Sequence, residues 1–240
     1  MIKQVGFRRD IRATWFDAAA ALRDETEDVD EIRTRLDALL APEIIGPENR
    51  AITVQILLRI WAKPDPEITG LHREAVDRFS TVEDPADRVW LHYGVCLLTY
   101  PFFRTAAGQA GLLLRQRGVI STASLKERLI ADLGQLGSLD NATKAVMFAL
   151  RQWSFVEATD RRGSYRACQP ARTTDPCLEG WLLTCALQSH PADGLPVGDL
   201  LAWTALFPFR FTLSAEGIRQ VPGLELQRQG GNVDIVRIAR

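Results

Sequence analysis

Histidine, methionine and cysteine are scarce in this 240-residue chain, which carries three, two and four of them. That scarcity narrows the chemistry on offer. Cys96, Cys168, Cys177 and Cys185 form no CxxC pair, and no histidine stands at metal-ligand spacing from them. Neither a zinc site nor a dithiol redox centre is expected. A Cys168–Cys177 bridge is conceivable from separation along the chain, but free thiols are the expectation in a reducing compartment. Long apolar runs are missing too. LLRIWA and VCLLTYPFF fall short of the roughly 18 residues that a membrane span needs. MIKQVGFRRDIRATW has adjacent arginines with no long apolar stretch behind them, so no export signal is expected and the cytoplasm is the expected location. There is no GxxxxGK[ST] phosphate loop, no GxGxxG after a strand and no GxSxG elbow. His72, His92 and His190 are scattered, and His92 sits between Leu91 and Tyr93 in an apolar helical pattern that suits a structural histidine. The inventory predicts no enzyme, no cofactor, no metal and no small-molecule substrate.

What is present is an ordinary globular composition, 46% hydrophobic and 25% charged, with a net charge of −1. The charge is unevenly spread. Residues 115–172 hold ten Lys/Arg against five Asp/Glu, whereas residues 1–114 hold fourteen against eighteen and residues 173–240 five against seven. The middle is basic and both flanks are acidic. A local basic patch is the footprint that nucleic-acid binding requires.

Within that basic middle the hydrophobic periodicity is informative. FFRTAAGQAGLLLRQRG reads as an amphipathic helix closed by Gly118, and Val119–Ile120 as a short strand. Ser121 or Thr122 can cap a second helix carrying Leu125, Leu129 and Leu133 and ending at Gly134. Asp140 is expected to cap a third, with Ala142, Ala145, Val146, Ala149, Leu150 and Trp153 as its buried stripe. FVEA, TDRRG and SYRA then read as strand, turn and strand. Helix, strand, two helices and a hairpin make the sequence shape of a winged helix-turn-helix over residues 102–172.

Before it, residues 1–101 read as a helical bundle. A first helix is expected over residues 7–24, with Phe7, Ile11, Trp15, Ala18, Ala19 and Leu22 on one face. An acidic interval follows, then a helix with Ile32, Leu36, Leu39 and Leu40. The apolar helix Glu48–Trp61, a shorter one around Leu71 and Phe79, and one from Asp84-Pro85 to Tyr100 complete the bundle. Pro101 breaks or kinks the path. With no polar linker there, the bundle is expected to pack on the winged helix. Residues 173–240 read as the same plan written faintly. CLEGWLLTCALQSH and Pro196–Phe207 are helices, FRFTL is an extended segment, and SAEGIRQV is a short helix. GLELQRQ–GGN–VDIVRIA is a hairpin with Leu224, Leu226, Val233, Ile235 and Ile238 on one face. The competing reading of this region is a helical appendage whose hairpin completes the core. The fold expected is therefore mainly α: an N-terminal helical bundle, a central winged helix, and a C-terminal helical and hairpin region with the layout of a second, degenerate one.

YPFFRTAAGQAGLLLRQRGVISTASLKERL followed by ALRQWSFVEATDRRGSYRA resembles prokaryotic winged helix-turn-helix proteins. The overall layout is also similar to that of small non-catalytic helical proteins of bacterial antiphage loci, such as the BrxA component of BREX systems. That resemblance implies an accessory subunit that associates with double-stranded DNA beside larger enzymes. On the presumed reading helix Asn141, Lys144 and Arg151 are placed to reach bases or phosphates. Arg161 and Arg162 at the hairpin tip, with Arg166 on the returning strand, are the charges a wing offers to phosphates. Met147 and Phe148 are expected either to pack against the rest of the chain or to form a protein interface; exposed, they would be poor groove residues. The rival reading is an adaptor that docks proteins, or a second copy of itself, and never touches DNA.

Overall fold

The computed structural model describes residues 5–230 and 233–239. Among them the fold is mainly helical, with two small three-stranded antiparallel sheets. No helix among the described residues is long and apolar enough to cross a membrane.

The N-terminal region contains α1 (Ala13–Glu25), α2 (Val29–Leu40), α3 (Pro47–Trp61), a 3-10 turn at Pro66–Ile68, α4 (Thr69–Phe79) and α5 (Pro85–Thr99). Local chemistry sets several boundaries. The Asp28 carboxylate accepts the amides of Asp30 and Glu31 at the start of α2, and Asp84 accepts that of Ala86 ahead of Pro85. The first helix begins six residues later than the periodicity suggests. Phe7 and Ile11 are fully buried, but on irregular chain. Phe7 packs by its edge on Tyr100 and tilted on Phe103, at 5.7 and 5.4 Å between ring centroids. Gly6 lies at φ +65°, where a side chain would run into the Tyr100 ring. Tertiary aromatic contacts, not a helical face, bury Phe7.

Tyr100 is extended, so Pro101 breaks the path. The central region then runs α6 (Pro101–Arg117), β1 (Val119–Ser121), α7 (Thr122–Leu133), α8 (Leu139–Gln152), β2 (Val156–Ala158) and β3 (Ser164–Ala167). Gly118 takes the left-handed conformation that ends α6, at φ +71°. Ser121 and Ser124 form a reciprocal capping box on α7. Asp140 does not cap α8: Ser138 holds that position without a side-chain bond, and Asp140 lies in the first turn, where the helix dipole still favours its charge. The sheet order is β1-β3-β2, with Ser121 opposite Ser164 and Val156 opposite Ala167.

The C-terminal region contains α9 (Pro176–Ser189), β4 (Gly194–Pro196), α10 (Val197–Leu201), a 3-10 turn at Thr204–Leu206, α11 (Ala215–Arg219), β5 (Leu224–Gln229) and β6 (Val233–Ile238). Its sheet order, β4-β6-β5, matches that of the first sheet position for position. The expected helix over residues 196–207 is broken. Trp203 turns out of helical geometry, and the 3-10 turn presses its Thr204 carbonyl against α6 at Gly111, where a Cβ would overlap it. FRFTL lies outside any helix or strand, with Phe209 bridged to Ala171, and a strand not expected from the sequence forms at 194–196. The hairpin's core face also differs from expectation. Leu224 pairs with Ile238 and Leu226 with Val236, so the fully buried Val236 takes the place expected of Val233, which is 43% exposed.

One hydrophobic core runs through all three regions. The Tyr93 hydroxyl donates to the Ala205 carbonyl, and Trp181 Nε1 donates to the Leu71 carbonyl at 3.1 Å. Trp90 packs on Phe209 at 4.5 Å and on Phe211 at 5.7 Å.

Candidate nucleic-acid interface

The turn between β2 and β3 presents two arginines on a well-tied frame. Gly163 adopts φ +75°. The Thr159 amide donates to the Ser164 carbonyl at 2.9 Å, and the Ser164 amide donates to the Arg161 carbonyl at 3.0 Å. The Arg161 amide in turn donates to Thr159 Oγ1. Because β3 pairs with β1, this turn lies beside the start of α7. Arg161, Arg162 and Arg117 line one cleft of about 590 Å³ with Ser121, Thr122 and Ser124. All three arginines are exposed, and none has a carboxylate within ion-pairing distance among the described residues. Asp160, also on the turn, adds negative charge nearby and acts on Arg166.

The remaining expected residues divide into three groups. Arg166 is engaged by Glu157 at 2.8 Å, and that bond raises its pKa further. It is therefore partly neutralised on the strand. Asn141, Lys144, Phe148, Arg151 and Gln152 form one narrow strip along α8. Lys144 Nζ lies 2.6 Å from Asp140, whose other oxygen is 3.1 Å from Lys126. Both lysines hold the Asp140 carboxyl below its ordinary value, Lys144 the more strongly. The Arg151 guanidinium sits 5.2 Å from the Tyr165 ring centre, a cation–π contact with β3. Asp10 lies near this strip: partial burial raises its pKa against the opposing pull of Arg151, Lys144 and Arg9.

Met147 is 2% exposed and belongs to the core, so it is not available for docking; Phe148 is half-buried. Thr143, off the expected stripe, is fully buried with its hydroxyl donating to the Leu139 carbonyl. A helix buried on this many sides offers a ridge, not a broad face. The structure thus brings Arg161 and Arg162 together with Arg117, which the periodicity did not single out. It leaves Asn141 and Lys144 outside that cleft. A sequence signal for Arg117 did exist, since two arginines flank Gln116 just before the Gly118 helix stop.

All four cysteines are free thiols, with Cys96 and Cys185 buried. Comparison with protein-family models, curated proteins and solved structures gives no match for this chain.

Proposed function

We propose that this chain is a non-enzymatic protein that contacts double-stranded DNA through phosphates, using a winged helix formed by residues 102–172. The order α6-β1-α7-α8-β2-β3, with its β1-β3-β2 sheet, is the one such a unit requires and supports the reading. One observation carries it: Arg117, Arg161 and Arg162, all exposed and without a carboxylate partner among the described residues, converge on one cleft at the hairpin tip. In the basic segment 115–172 of an otherwise acidic chain, such a cluster suits a polyanion. Residues 173–240 are read as a second, degenerate winged helix on the same sheet order. On this reading the protein is an accessory subunit, of the kind bacterial antiphage loci encode, and larger partners supply any catalysis.

The test is duplex binding across a salt series from roughly 50 to 200 mM. The wild type should show a negative log–log slope. Arg161→Glu/Arg162→Glu should flatten it by about 2, one unit of slope for each phosphate no longer neutralised. No binding at low salt, or an unchanged slope, would favour the adaptor reading, in which the unit docks protein.

A further inference from the structure

A second cleft, larger than the one at the hairpin, opens between α3, the α5–α6 junction and the turn before α8. Its volume is about 870 Å³. Ligand pockets of drug-like molecules span roughly 300–1,000 Å³. Arg8, Arg33, Arg59 and Lys63 line it against one carboxylate, Asp65. Arg59 is shared between Asp65 at 3.3 Å and the face of Tyr100 at 5.9 Å. Arg33 pairs with Asp30 on its own helix. Arg8 and Lys63 have no ion-pair partner among the described residues. Ile52, Ile56 and Leu136 add apolar wall between these cations, beside the polar Gln55 and Ser138. At the wall formed by the α5–α6 junction, Thr99 is 4% exposed and its hydroxyl finds no hydrogen-bond partner.

We propose that this cleft binds a small phosphorylated molecule with an apolar or aromatic body, of about nucleotide size. Guanidinium forks match phosphate oxygens, an ammonium adds a point charge, and the apolar walls take the body. A duplex is the less favoured occupant. Its phosphates lie on a convex surface, whereas these cations surround a recess with mixed polar and apolar walls. The hairpin arginines take no part in this site.

ADP, inorganic pyrophosphate and adenosine serve as probes in calorimetric titrations of the full chain. ADP should bind the wild type and Arg161→Gln/Arg162→Gln alike, and bind Arg59→Gln/Lys63→Gln at least tenfold more weakly, with that variant's thermal midpoint unchanged. Pyrophosphate and adenosine should each bind more weakly than ADP. Absence of ADP binding, or unchanged binding in Arg59→Gln/Lys63→Gln, overturns the proposal. Pyrophosphate binding as tightly as ADP overturns the part assigned to the apolar walls. Loss of duplex affinity in the cleft variant without any ADP binding would instead make the cleft part of a nucleic-acid surface.

Discussion

Glu179 gives the sharpest test of how the C-terminal region is held. It is 1% exposed on α9, and its carboxylate accepts from the Thr212 amide at 2.8 and 3.0 Å, the Thr212 hydroxyl at 3.0 Å and the Leu213 amide at 2.9 Å. No cation lies within ion-pairing distance among the described residues, so three neutral donors carry the charge. Glu179→Gln keeps the shape and can keep most of the bonds. The amide oxygen faces the two backbone N–H groups, and the Thr212 hydroxyl turns to accept from the new NH₂. What is lost is the charge assistance, about 1–2 kcal/mol. Glu179→Leu leaves three part-buried donors without their acceptor; Thr212 is itself exposed and water can reach part of the gap, so the cost is about 1 kcal/mol per donor and about 3 kcal/mol in all. Urea unfolding should therefore rank wild type, Gln and Leu in clearly separated steps. Hydrogen exchange should accelerate at Thr212 and Leu213 well before the rest of the chain. A Leu variant within about 0.5 kcal/mol of wild type would refute the reasoning, since that is the range expected for a substitution away from any structural feature.

Two further perturbations follow from the core. Burial lowers the His72 pKa to about 4, even though its Nε2 meets the Ile60 carbonyl at 3.0 Å. The unfolded chain takes up this proton first, from about pH 6.5 downward, so the folded state loses about 3 kcal/mol as pH falls from 6.5 to 4. Burial lowers the His92 pKa in the same direction, with Asp17 opposing it. Urea midpoints measured at descending pH should fall across that window, and His72→Asn should flatten the dependence; an unchanged profile in that variant would exclude His72 as its source. Gly111→Ala should cost about 1–3 kcal/mol by overpacking, because the new methyl meets the Thr204 carbonyl and the Phe207 side chain. A thermal midpoint equal to wild type would mean that α6 and the 3-10 turn separate freely.

Boundaries governed by local chemistry were legible in the chain. Asp84-Pro85, Ser121 and Gly118 each carry out in the structure the role their residue types suggest, because capping and left-handed termination depend on a few neighbouring atoms. Outcomes decided by distant contacts were not legible. Phe7 and Ile11 keep a helical spacing yet are buried by packing such as that of Phe7 on Tyr100 and Phe103, outside any helix. Met147 and Thr143 read as outward positions on α8 because a single periodic stripe was assumed, whereas that helix is buried on several sides. β4 is three residues long and gains its identity only from pairing with β6. The larger basic cleft is the extreme case: Arg59 and Lys63 stand four apart at the end of α3, but Arg8 and Arg33 come from other parts of the chain, and no spacing rule links them to that pair.

On the nucleic-acid reading, the burial of α8 also decides the kind of contact. Discriminating one base pair takes a well-placed bidentate side chain, worth about 1–3 kcal/mol. The exposed strip has few such groups to offer. Lys144 is held by Asp140, Arg151 lies over Tyr165, and Phe148 stands between them. Asn141 is exposed, capable of a bidentate bond to adenine, and its side chain meets no hydrogen-bond partner among the described residues. Freeing Lys144 would leave the Asp140 carboxylate, beside Lys126, facing the phosphates. Affinity would then come from Arg117, Arg161 and Arg162, whose charges need no partner to be released first. On that reading the protein would hold different duplexes with similar strength, and its selectivity would have to come from whatever else binds with it.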